Sequence, residues 1–164
     1  MKNKKNAGYF DEDFDTRFEK IRSEETNAVN FFADLIRLSL DTDIAIFNAG
    51  LIRADHYYTK GFFMLKDLMA MLPYNHPLTK LEVTGETIIK ILENGVSKIP
   101  ALEGRFPFVS AMTYEVDKSK PPGERVVASS IKIKGKPIDL KKHYTLAVTQ
   151  YMSSGMNFGL RHFH

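Results

Sequence analysis

From Thr26 onward, apolar residues recur at three- and four-residue intervals, with Val29, Phe32, Ala33 and Ile36 leading to Leu40. This spacing predicts a helix with one buried face, and Thr26 is placed to cap it. The run Asp43 to Phe47 (DIAIF) is short and mostly apolar and ends at Asn48-Ala49-Gly50, which predicts a buried strand entering a tight turn. Met64 to Leu72 returns to helical spacing and stops at Pro73, because proline disfavours helical geometry in the residue before it. Leu78 to Val83 alternates as a strand does. Thr84 then caps a second amphipathic helix carrying Ile88, Ile89, Ile91, Leu92 and Val96.

After Pro100 the pattern becomes strand-like. Segments Phe108 to Val116, Val126 to Lys134 and Tyr144 to Val148 are separated by turns at Lys120-Pro121-Pro122-Gly123 and at Gly135. Near the start, Phe10, Phe14 and Phe18 stand four apart among polar residues, which predicts a weak helical stripe. Residues 1–20 are expected to be a linker or docking segment and residues 21–164 a single domain. Helices gather early and antiparallel-looking strands late, so the expected class is α+β: one domain, a mixed sheet with packed helices.

Composition changes this picture little. The 164 residues suit one core, and 43% hydrophobic with 26% charged residues is ordinary for a globular chain. The net charge of +3 is scattered, so a nucleic-acid role is not expected. The basic run Lys132 to Lys142 reads as a solvated hairpin edge. With no cysteine there is neither a disulfide frame nor a thiolate metal site. No run approaches the roughly 18 apolar residues that span a bilayer, and no signal segment is visible.

Three clusters have the residue types for ligand binding. Asn48-Ala49-Gly50-Leu51-Ile52-Arg53 places an amide and a guanidinium beside small residues at a strand end. A guanidinium fork suits phosphate or carboxylate, although an arginine after a turn also serves in surface ion pairs. Leu72-Pro73-Tyr74-Asn75-His76-Pro77 is a proline-braced loop that either packs Tyr74 on the surface or offers it for stacking. Tyr151-Met152-Ser153-Ser154-Gly155-Met156-Asn157-Phe158-Gly159 is either an ordinary turn or a second aromatic wall.

In order and context these clusters resemble the C-terminal domain of the 5′-nucleotidase family. Its R-x-x-E-T-N-x-x-N, N-G-G-x-I-R, L-P-F-G-N, G-x-F-P-Q-V-S-G and F-x-x-x-G-G-D-G segments stand here as RSEETNAVN (Arg22 to Asn30), NAGLIR (Asn48 to Arg53), LPYNH (Leu72 to His76), GRFPFVSA (Gly104 to Ala111) and YMSSGMNFG (Tyr151 to Gly159). The resemblance implies a domain that recognises a nucleoside monophosphate or related nucleotide. A separate N-terminal metallophosphatase domain would hold two divalent metals and carry out hydrolysis. It implies Arg53 with Asn48 for phosphate, Tyr74 and Tyr151 for base stacking, and Arg22 as a further basic phosphate ligand. His76 falls on the last position of the L-P-F-G-N segment, and Asn157 replaces the acidic residue that binds ribose.

The departures are expected to matter. The Ala49 methyl would narrow the approach to the ligand, and Phe158 would refill or block the base pocket. The alternative is a binding or scaffold module that kept the fold and lost recognition. The family's metal-binding D-x-H, G-D, N-H-acid and G-H-x-H segments are not found in the sequence, and Asn75-His76 is followed by Pro77. No G-x-S-x-G context surrounds a serine. No catalytic residue or cofactor is therefore assigned to this chain. The end at His164 falls early for the family, so part of the C-terminal packing is expected to be missing. Relatives are commonly exported or surface-bound, but the sequence does not assign a compartment.

Overall fold

Helix α2 (Asn27–Leu40) begins at Thr26, whose hydroxyl accepts from the Val29 amide and donates to the Asp15 carbonyl, so the cap also ties the helix to the preceding chain. It ends at Asp41, which adopts the left-handed conformation. Of the residues the periodicity named, Val29, Phe32 and Ala33 are buried together with Ala28, Ile36 and Leu40 are half-buried, and this face packs across the main sheet. A computed structural model describes residues 5–155.

The main sheet has four strands in the order β6 (Leu78–Thr84), β11 (His143–Thr149), β3 (Ile44–Asn48), β7 (Pro107–Ser110). Strands β11 and β3 are parallel, while β6 and β7 run antiparallel to their neighbours. The sheet is mixed, as expected. Every residue of β3 is buried, so neither face of that strand meets water. Helix α4 (Gly85–Val96) follows β6 directly, capped by Thr84, and buries Ile88, Ile91, Leu92 and Val96.

The late strands are shorter than the sequence predicts. The expected strand from Phe108 to Val116 is broken at Ala111, which has φ +58°, and the chain leaves β7 for β8 (Met112–Thr113) in a separate sheet with β9 (Lys132–Ile133) and β10 (Lys136–Pro137). From Val126 to Ser130 the predicted strand is only a bridge to Val116 followed by a 3-10 turn. There the Ser130 hydroxyl takes the Glu115 amide in place of a backbone partner. The Gly135 turn forms, with positive φ at both Lys134 and Gly135, the geometry a two-residue hairpin needs.

The first 20 residues depart from the predicted helical stripe. Strand β1 (Asn6–Phe10) pairs with β5 (Gly61–Met64), and β2 (Phe14–Asp15) pairs with β4 (Tyr57–Tyr58); among the described residues of this segment only Phe18–Ile21 is helical, as α1. Phe10 and Phe14 stack at 3.9 Å because the turn between β1 and β2 folds one over the other, which a four-residue spacing imitates. Asp13 holds this turn by accepting from the Tyr57 hydroxyl and the Lys60 amide, both at 2.7 Å.

Candidate functional site

Sheet topology decides where the site lies. Because β3 and β11 are parallel, Asn48 and Thr149 leave the sheet at the same end. Because β7 and β6 are antiparallel to them, the loops that enter β7 and β6 arrive at that end too, with Asn48 opposite Pro107 and Thr149 opposite Leu78. Four loops therefore converge, as ligand sites do beyond the carboxyl ends of strands. They enclose a cleft of about 410 Å³ lined by Asn48, Gly50, Leu51, Arg53, Tyr74, His76, Glu103, Gly104, Arg105, Thr149 and Tyr151. That volume falls within the range typical of small-molecule sites.

The floor is a backbone contact. Gly50 donates to the Gly104 carbonyl at 2.7 Å, and the Asn48 amide nitrogen donates to the same oxygen at 3.2 Å. A Cβ on Gly104 would stand 3.1 Å from the Gly50 Cα, and one on Gly50 would stand 2.9 Å from the Asn48 amide nitrogen, so both positions need glycine for close approach. Ala49 points elsewhere. It is fully buried in the hydrophobic core, its amide donates to Phe106, and its methyl does not line the cleft, which corrects the expected narrowing.

One wall is aromatic. The loop between α3 (Leu65–Met71) and β6 presents Tyr74 and His76, and α5 (Gln150–Ser153), capped by Thr149, presents Tyr151. His76 contacts both tyrosines, with ring centroids 5.6 Å from Tyr74 and 6.2 Å from Tyr151. The Gln150 amide donates to Pro77, locking the two loops together. Tyr74 is 56% and Tyr151 36% exposed, so aromatic faces remain available to a ligand.

Arg53 stands beside this wall, its guanidinium 6.0 Å from the Tyr74 ring and 6.0 Å from the Phe18 ring. Its backbone is anchored to Met71, yet among the described residues the guanidinium has neither a hydrogen bond nor an ion pair. Arg22 is not among the residues lining the cleft. It lies over the other contact of Arg53, 4.0 Å from the Phe18 ring, donates to the Leu102 carbonyl and leaves its Nε buried without a partner. Burial, and then the charge of Arg53, push the Arg22 pKa down: two like charges share one neighbourhood.

Glu103 and Arg105 also line the cleft, joined at 2.7 Å, with Arg105 reaching the Ser97 hydroxyl at 3.4 Å. Gly104 and Arg105 stand in the motif GRFPFVSA, but the sequence assigns no role to Glu103, Gly104, Arg105 or Thr149. Asn157 and Phe158 lie outside the described residues. Among the described residues no group of three or more His, Asp or Glu stands together to hold a metal ion, so they do not fit a metal pair. No helix among them is long and apolar enough to cross a membrane.

Residues 6–160 match the family model described as 5′-nucleotidase, C-terminal domain. The chain is 34% identical over 135 residues to the trifunctional nucleotide phosphoesterase protein YfkN of Bacillus subtilis, covering 80% of this chain and 9% of that protein. It is 26% identical over 154 residues to the 5′-nucleotidase of Diplobatis ommata, covering 84% and 27%. Among solved structures, the 5′-nucleotidase precursor of Thermus thermophilus superposes with a TM-score of 0.86 at 29% identity, over 95% of this chain and 31% of that one. The chain thus spans less than a third of the length of each.

Proposed function

The chain belongs to the family of 5′-nucleotidase C-terminal domains, and from that premise we propose that it recognises a nucleotide for a 5′-nucleotidase-type hydrolase. In this reading the base stacks on the wall of Tyr74 and Tyr151, and the phosphate meets Arg53 with Asn48 beneath it. Hydrolysis is assigned to a separate metal-bearing domain, to which this one presents the phosphoester.

The observation that carries the reading is the state of Arg53. An unpaired guanidinium shares a cleft with an exposed aromatic wall, which matches the two ends of a nucleotide. The nearby charge of Arg22 adds support, because a phosphate placed close to both would relieve their repulsion. Stacking contributes about 1–3 kcal/mol per base and a charged hydrogen bond about 1.5–3 kcal/mol. Each half of the ligand is therefore separately measurable.

The chain has seven tyrosines and no tryptophan, so the part of a tyrosine fluorescence change that is lost when Tyr74 and Tyr151 are replaced by phenylalanine reports the wall. Nucleoside 5′-monophosphates should bind about tenfold or more tightly than the matching nucleosides, and Arg53→Ala should erase that difference. Thermal stability should hold, since the guanidinium makes no structural bond. A monophosphate that binds no better than its nucleoside, or an Arg53→Ala chain that still discriminates, would sink the proposal.

A further inference from the structure

Two lining residues, Glu103 and Arg105, have hydrogen-bonding capacity that the fold leaves unspent. Glu103 uses only Oε2, to accept from Arg105 Nε at 2.7 Å. Arg105 uses Nε for that bond and Nη1 for Ser97. Glu103 Oε1 and Arg105 Nη2 have no partner among the described residues and are not buried orphans. The side chains are 44% and 27% exposed, both residues line the cleft, and each keeps one hydrogen-bonding group, a carboxylate oxygen and a guanidinium N–H, unspent. Of the other lining groups, the Gly104 carbonyl accepts twice and the Thr149 hydroxyl caps α5.

We propose that the Glu103–Arg105 pair reads the edge of the base and selects 6-oxopurines, guanine and hypoxanthine, over adenine. This rests on the nucleotide-recognition reading above, since a base must first lie against the tyrosines. A 6-oxopurine carries an acceptor, O6, beside a donor, N1–H. Arg105 Nη2 donates to O6, and Glu103 Oε1 accepts from N1–H, with the guanine 2-amino group as a further donor. Adenine presents the reverse, an amino group at position 6 and a bare N1. It would set donor against donor and carboxylate against lone pair, and a mismatch that strips water from charged groups weakens binding more than a lost contact does. The Arg105–Glu103 bond fixes the order of donor and acceptor, so the pair cannot turn over to suit adenine.

The test is calorimetric titration of GMP, IMP and AMP into the 164-residue chain. GMP and IMP should each bind about tenfold more tightly than AMP, the low end for one matched charged pair. Glu103→Gln keeps an oxygen for Arg105 and turns an N–H toward N1, which suits the bare N1 of adenine and opposes the N1–H of guanine, so the GMP to AMP ratio should fall toward one. Arg105→Lys keeps the charge, loses the fork and should also lower the ratio. Equal binding of GMP and AMP by the native chain overturns the selectivity while leaving nucleotide recognition intact. A preference that survives both substitutions overturns the assignment to this pair. If no nucleotide binds, the recognition reading itself falls, and this inference with it.

Discussion

Asp43 sits where β3, β11 and the β9–β10 hairpin meet. Its carboxylate accepts from Lys134 at 2.8 Å and from both the amide and the hydroxyl of Thr145 at 3.0 Å. The Lys134 bond first, and then the Thr145 amide, hold its pKa down to about 2 against partial burial. A carboxyl depressed on folding stabilises the fold above its unfolded value of 3.8, and that contribution is lost as pH falls through about 2. The side chain is 38% exposed, so solvent screening reduces the effect to about 1 kcal/mol. Asp43→Asn should lower stability by that amount at neutral pH and flatten the stability curve between about pH 4 and 2. Urea titrations across that range check both; an unchanged acid slope would mean that the clasp contributes nothing.

The same scale explains which site residues were legible. Asn48, Arg53, Tyr74, His76 and Tyr151 each belong to a short segment whose turn chemistry is visible locally, and the structure brings all five to one cleft. Glu103 belongs to no such segment, and Gly104 and Arg105, although inside a quoted motif, carry no local sign that they reach a ligand site. They reach the cleft because Pro107 pairs with Asn48 across nearly sixty residues of chain, and that register is invisible until β3 and β7 are known to be neighbours.

Among the elements, α4 shows how a local pattern can be right for an incomplete reason. Thr84 and the apolar spacing were enough to predict the helix, but nothing nearby requires glycine at position 85. The reason lies in the chain entering β11. Gly85 donates to Lys142, Glu86 donates to Leu140, and a Cβ on Gly85 would run into the Asp139 carbonyl and stand 2.9 Å from the Leu140 Cα. Those are backbone atoms and cannot swing aside. Alanine is favoured over glycine in a helix by about 1 kcal/mol, yet overpacking costs about 1–3 kcal/mol. Gly85→Ala should therefore destabilise by up to about 2 kcal/mol in chemical denaturation, and a stabilised variant would mean that the contact yields. The buried-face helices and β3, β6 and β11 were legible because each carries its own period. Strands β1, β2, β4 and β5 were not: they are ribbons of two to five residues held by partners such as Asp13, too short to show alternation.

At the scale of the molecule, the cleft and the chemistry are separable. In the proposed reading the phosphate is met by cationic nitrogen at Arg53, and the described residues gather no cluster of metal ligands around it. A cation-based anchor has a consequence that a metal-based one lacks, because its affinity does not depend on divalent ions. Nucleotide binding to this chain should be the same in a chelator as with excess magnesium or manganese. It should also weaken as salt rises, because exposed charges are screened over about 10 Å at 0.1 M ionic strength. Under the same conditions the chain should release no inorganic phosphate from a nucleoside monophosphate. Phosphate release, or affinity that needs the metal, would place a reaction centre within these 164 residues and reverse the division of labour proposed for the domain. If neither is seen while binding persists, the phosphate is held by arginine alone and hydrolysis must come from groups this chain does not supply.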